Sequence, residues 1–155
     1  MAGRSEARLR ELKIELPDAS APVANYVPYV TVGKLIFVSG QVPREKGQFV
    51  YVGRIGEKLT VEDGQKAARL CALSLLGHVR AACGGDLDRM ARVVKLGGFV
   101  NSTPEFRQQP LVVNGASDLM VEVFGDSGRH ARFAVGVQDL PAGVAVELDG
   151  IFEIA

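Results

Sequence analysis

Residues 132–154 constrain the fold more than any other stretch, because two alternating segments meet there at a short turn. Phe133, Val135 and Val137 alternate with Arg132, Ala134 and Gly136, which is the period of a strand with one apolar face and one face of small residues carrying a single cation. Val144, Val146, Leu148 and Phe152 share a face of the second segment, with Glu147, Asp149, Ile151 and Glu153 on the other. Between them Leu140-Pro141-Ala142-Gly143 has turn chemistry, proline fixing φ and glycine permitting positive φ. Read as a hairpin, the pattern sets Glu147 opposite Ala134 or Gly136 and puts Arg132 on the same face. A cation and a carboxylate separated by little side-chain bulk leave room for a small molecule.

At 155 residues one domain is the default, large enough to bury about two thirds of its unfolded surface. The 18 basic and 18 acidic side chains cancel, whereas nucleic-acid binders carry a basic excess, so charge argues against that class of partner. The only two cysteines, Cys71 and Cys83, fall along one expected helix. A separation of about 18 Å along it forbids a disulfide, and free thiols point to a reducing compartment. Residues 1–8 are charged and lack the apolar core of a secretory signal, and no apolar run reaches membrane-spanning length. A cytoplasmic protein is expected, with no membrane partner. The two histidines and two cysteines are scattered, without metal-site spacing.

Residues 5–12 permit a short helix, followed by a Pro/Ala/Ser-rich connector over 17–22; residues 1–21 read as an N-terminal helical extension and 22–155 as the main domain. Residues 25–32 read as a strand held at a sheet edge by Pro28. The uninterrupted run Leu35-Ile36-Phe37-Val38 suggests a strand covered on both faces, and the polar segment 44–58 a loop or edge hairpin. Thr60 caps the next helix, whose stripe of Ala68, Cys71, Ala72, Leu75, Leu76 and Val79 ends at Gly84-Gly85. A strand over 92–100 follows. A second helix opens at Pro104 or Pro110, carries Val113, Ala116, Met120 and Val123, and stops at Gly125. The order β-β-(β)-α-β-α-β-β predicts an α+β fold, one mixed sheet with both helices on one face. Its other face, expected small and apolar rather than charged, calls for self-association.

At this point the chain resembles the Rid/YjgF family, some members of which carry the label L-PSP endoribonuclease. Leu35 to Pro43, with its Ser39-Gly40-Gln41 core, is similar to the family's strand-SGQ motif. Ala131-Arg132, and Leu140-Pro141 with Val146-Glu147-Leu148-Asp149, are similar to its ending; Arg69, residues 94–100 and Val113-Asn114 fit the intervening pattern more loosely. The resemblance covers about residues 22–154. It implies a chorismate-mutase-like fold, a homotrimer with clefts between neighbouring subunits, and hydrolysis of 2-imino acids to 2-keto acids and ammonia without a cofactor.

In that chemistry a planar guanidinium holds the substrate carboxylate through two parallel charge-assisted hydrogen bonds, the role assigned to Arg132. Glu147 is the candidate to orient a water and take its proton, helped by the Ala134 carbonyl. By its position relative to the SGQ motif, Tyr26 matches the family's aromatic wall, and Ser39 adds a hydrogen bond. Asn114 and His130 complete the candidate substrate-binding set. Each has a plainer reading: an ion pair for Arg132 and Glu147, packing for Tyr26 or Tyr29, backbone satisfaction for Ser39, an interface position for His130, and a surface or edge place for His78.

The resemblance has gaps. Ala67 and Ser74 stand where the family has Gln and Asn, and Ala134 where well-known deaminases have Cys. Those replacements motivate a second expectation, a non-catalytic trimer binding a small carboxylate metabolite. A third, ribonuclease, is opposed by the neutral charge and the lack of a basic, aromatic-lined stretch.

Overall fold

The computed structural model describes residues 4–19, 21 and 24–155; Ser20 and Pro22 of the expected connector lie outside the described residues. Its elements are α1 (Arg4–Glu11), β1 (Tyr29–Val32), β2 (Leu35–Gln41), a hairpin of β3 (Arg44–Glu45) and β4 (Gln48–Phe49), α2 (Val61–Ala82), β5 (Met90–Asn101), α3 (Gln109–Phe124), β6 (Ala131–Val137) and β7 (Val146–Ile154). Five strands form one mixed sheet in the order β1-β2-β7-β5-β6. Both long helices pack on one face, their stripes of Cys71, Leu75, Leu76, Val113, Ala116 and Met120 closing over Val38, Leu96, Val100, Val146, Leu148 and Phe152. This is the α+β layering the sequence predicts.

The helix starts follow local chemistry. Thr60 and Asp63 make a reciprocal capping box, each satisfying the other's backbone N–H at 3.1 and 2.9 Å. Pro110 occupies the first turn of α3, where a missing N–H costs nothing; Pro104 lies outside the helix.

The C-terminal hairpin does not form. β6 runs parallel to β5, pairing Leu96 with Arg132 and Gly98 with Ala134, while β7 lies antiparallel on the other side of β5, pairing Phe99 with Glu147. Alternation and turn chemistry predict that two strands exist. They do not say that the long apolar β5 inserts between them, which buries it against partners on both edges. The helix over 109–124 supplies the crossover that a β5–β6 parallel pair requires.

The sheet's second face is open. Val30, Val32, Phe37 and Val135 are 41–61% exposed on it, so β2 is not covered on both faces. The face also carries charge, for ladder partners share a side. Lys95, Glu147, Asp149 and Glu153 therefore stand among Val30, Phe37, Phe99, Phe133 and Ile151. The expected face of small apolar residues is thus an apolar surface interrupted by charges.

α1 is locked to the core. Asp88 accepts from the Ser5 and Glu6 backbone N–H groups at 2.7 and 3.2 Å, and Glu6 takes a two-pronged bond from Arg80 at 2.9 and 2.7 Å. Leu9 is buried beneath the helix. Leu9→Ala should lower stability by about 2–5 kcal/mol, the cost of an unfilled core site. A fall in the denaturation midpoint at unchanged slope would report it.

Candidate functional site

Arg132 and Glu147 lie on opposite faces of the sheet. Arg132 projects toward α3, where Nη1 donates to Asn114 Oδ1 at 2.8 Å and to Ser117 Oγ at 3.1 Å, and Nη2 approaches the Pro110 carbonyl at 3.4 Å. Asn114 and Ser117 are three apart on α3 and so present one surface. No carboxylate among the described residues pairs with Arg132, which removes the ion-pair reading within one chain. Ala134 follows on the same side, half-buried, adding no bulk beside the guanidinium.

His130 extends this cluster. Its Nδ1 lies 2.6 Å from the Gly128 carbonyl, which can only accept, so Nδ1 carries the hydrogen. Nε2, at 2.9 Å from Ser117 Oγ, then accepts from the hydroxyl, leaving the Ser117 oxygen to accept from Arg132. Burial holds the His130 pKa below the usual histidine value, with the Gly128 carbonyl opposing and the Arg132 cation adding to the effect. The neutral ring that this order of bonds requires is therefore favoured near pH 7. Ser117 is the member that sequence reasoning passed over; its spacing from Asn114 and the neighbouring His130 were the available signals.

Glu147 stands across the sheet, two strands from Arg132, with the other candidates near it. Strand β2 takes one extra residue between Val38 and Gln41, a bulge holding Ser39 and Gly40. The Glu147 carboxylate lies over Gly40, in space that any side chain at position 40 would occupy. The glycine of the SGQ stretch is needed for that close approach. Burial raises the Glu147 pKa above the ordinary glutamate value, and the neighbouring Asp149 carboxylate raises it further. No described residue donates a hydrogen bond to it.

Beside this bulge a cleft of about 240 Å³ opens, lined by Tyr26, Ser39 and Gly40. Tyr26 is 53% exposed, with its ring available to a ligand, whereas Tyr29 packs against the core. Ser39 donates to the Val27 carbonyl at 2.8 Å, the backbone-satisfying role. His78 corrects the surface reading: it lines the same cleft and is 2% exposed. Its place three residues after Leu75, on the flank of the apolar stripe, is the signal for that burial.

The predicted residues thus form two groups. Arg132, Asn114, Ala134 and His130 gather where β6 meets α3; Glu147, Tyr26 and Ser39 gather around the β2 bulge. Strands β6 and β2 stand three spacings apart, about 14 Å, so one small substrate cannot touch both groups on one chain.

Among the described residues no three His, Cys, Asp or Glu side chains converge as metal ligands, and no helix is long and apolar enough to cross a membrane. Cys71 and Cys83 are free and buried.

Residues 6–146 match the family model described as "YjgF/chorismate_mutase-like, putative endoribonuclease". Protein TCP17 of Trypanosoma cruzi is 53% identical over 154 residues, covering 99% of this chain and 96% of that protein. A 2-iminobutanoate/2-iminopropanoate deaminase of Dermatophagoides farinae is 28% identical, covering 91% of this chain and 94% of its own. The crystal structure of the protein Atu1372 from Agrobacterium tumefaciens superposes with a TM-score of 0.91 at 50% identity, covering 97% of this chain and 92% of that one.

Proposed function

The chain belongs to the Rid/YjgF family, and on that premise we propose that it hydrolyses small 2-imino acids to 2-keto acids and ammonia in clefts between the subunits of a homotrimer. The observation that carries the reading is the pair of complementary half-sites. Among the described residues, the guanidinium at one edge of the sheet has no carboxylate partner, and the carboxylate over the β2 bulge has no donor. Neither is complete alone. A neighbouring copy seated on the open apolar face brings one chain's Arg132 group to the other's Glu147 group.

The chemistry divides between them. Arg132, fixed by Asn114 and Ser117, turns its remaining N–H groups to the substrate carboxylate. Glu147 takes a proton from water as the water oxygen bonds to the protonated imine carbon and the C=N π pair moves to nitrogen. It returns that proton to the amine nitrogen of the carbinolamine. The C–N bond then breaks and ammonia leaves as the carbonyl forms, the hydroxyl passing its proton to the freed Glu147 carboxylate, which hands it to the departing ammonia. Burial raises the basicity of Glu147, which brings its proton affinity closer to that of the group it must deprotonate. Tyr26 covers the substrate plane.

The test is ammonia and keto-acid release when freshly generated 2-iminopropanoate meets the purified protein, followed by native mass measurement of the assembly. Acceleration by a trimer is expected. Intact trimers that bind butanoate but release ammonia no faster than buffer would leave a binding protein.

A further inference from the structure

We propose that the cleft beside the β2 bulge is a side-chain subsite selecting imino acids whose side chain ends in a second carboxylate; this rests on the imino-acid reading of the site. Gly40 lines the cleft and also lies beneath the Glu147 carboxylate, and Ser39 and Tyr26 line it as well, so the cleft adjoins the expected reaction centre across the β2 bulge. Its volume of about 240 Å³ equals roughly eight waters of liquid at about 30 Å³ each. A methyl or ethyl side chain leaves most of that space to solvent. A side chain of two methylenes and a carboxylate takes up more of it and leaves room for waters that bridge the carboxylate to the walls.

The walls supply matching charge. The β3–β4 hairpin contributes Arg44 and Lys46, against one described acid on the wall, Asp18. Neither cation is ion-paired among the described residues. Arg44 is held over the Phe49 ring, 4.8 Å from its centroid, which limits the freedom it would lose on gripping an anion. His78 sits in the α2 wall with Nδ1 buried and without a hydrogen-bond partner, an uncommon state for a ring nitrogen at 2% exposure. The Ser74 hydroxyl lines the cleft one turn away and can donate to a carboxylate there.

The fourth wall is the connector after α1. Pro17 packs its carbonyl onto Gly77, in space that any side chain there would fill, and this holds Pro17 and Asp18 along the rim. The N-terminal extension and the 44–49 hairpin therefore shape one pocket, and the clamp of Glu6 on Arg80 fixes the extension there.

The experiment compares kcat/KM for 2-iminoglutarate with that for 2-iminopropanoate, each generated in place by an amino-acid oxidase, in the full-length protein and in Arg44→Ala/Lys46→Ala. At least a tenfold preference for the dicarboxylate is expected, shrinking about tenfold in the double variant through a raised KM for 2-iminoglutarate. Preference for 2-iminopropanoate, or a preference unaltered by the double substitution, overturns the subsite. Should neither imine be turned over, the deaminase reading fails, and calorimetric titration with glutarate against butanoate decides the subsite separately. Glutarate binding that is tighter and is lost in the double variant keeps it; equal or absent binding overturns it.

Discussion

Glu147→Gln is expected to lower imine hydrolysis by about 10²–10⁴-fold, the usual contribution of a positioned general base, while a non-reacting carboxylate binds as before. Glutamine keeps the shape over Gly40 and removes the basic lone pairs, so the loss falls on kcat. The pH dependence gives a second readout. Burial and Asp149 hold the Glu147 pKa above the ordinary glutamate value. The acid limb of kcat/KM should therefore lie above the ordinary glutamate value, activity falling as pH drops and the base is protonated. Asp149→Asn removes the like charge and should shift that limb to lower pH. Stability carries the same sign: a carboxylate whose folded pKa is raised disfavours folding once ionised, so Glu147→Gln should gain stability relative to wild type above the folded pKa and lose that gain below the unfolded one. If Glu147→Gln turns over imines at the wild-type rate, Glu147 is not the base; if the wild type has no activity to lose, the binding-protein reading is the one that stands.

How much of this was legible depended on whether the information was local. The capping box at Thr60, the apolar stripe of α2, the proline at the start of α3 and the layering of two helices on one face all follow from spacing within single segments. Strand partnering does not. Residues 131–137 and 146–154 alternate as hairpin strands would, yet their partner is β5, whose apolar length favours a central place that pairing energies across the whole sheet decide. The error mattered at the site: the hairpin would have put Arg132 and Glu147 on one face, and inserting β5 puts them on opposite faces. The residue choices rest on side-chain chemistry and motif spacing, which local sequence carries. Their grouping is not carried that way, since the bulge at Ser39-Gly40 shifts register by one residue and no local pattern marks it. Ser117 was passed over and His78 read as a surface or edge residue for the same reason, their places being set by neighbours distant in sequence.

Arg132→Ala should weaken carboxylate binding by about 2–4 kcal/mol, roughly 30- to 10³-fold in Kd or KM, as expected on losing two charge-assisted hydrogen bonds. The fold should tolerate it, because Arg132 is half-buried, makes no ion pair among the described residues and leaves Asn114 and Ser117 near solvent in the single chain. Arg132→Lys is the sharper variant. An ammonium restores the charge but not the fork, so it cannot hold Asn114, Ser117 and a carboxylate in one plane, and it should recover only a minor part of the affinity. The composite cleft makes a further demand. If Arg132 of one subunit serves Glu147 of the next, mixing inactive Arg132→Ala with inactive Glu147→Gln and reassembling should restore activity, because some clefts then receive both intact groups. A trimer with three clefts and random mixing gives back about one quarter of wild-type activity at equal ratio, since each cleft needs one particular parent on each side. Recovery near that fraction places the two groups on different chains. No recovery after verified subunit exchange returns them to a single chain, which the opposed faces and the intervening β5 strand could accommodate only by a rearranged sheet.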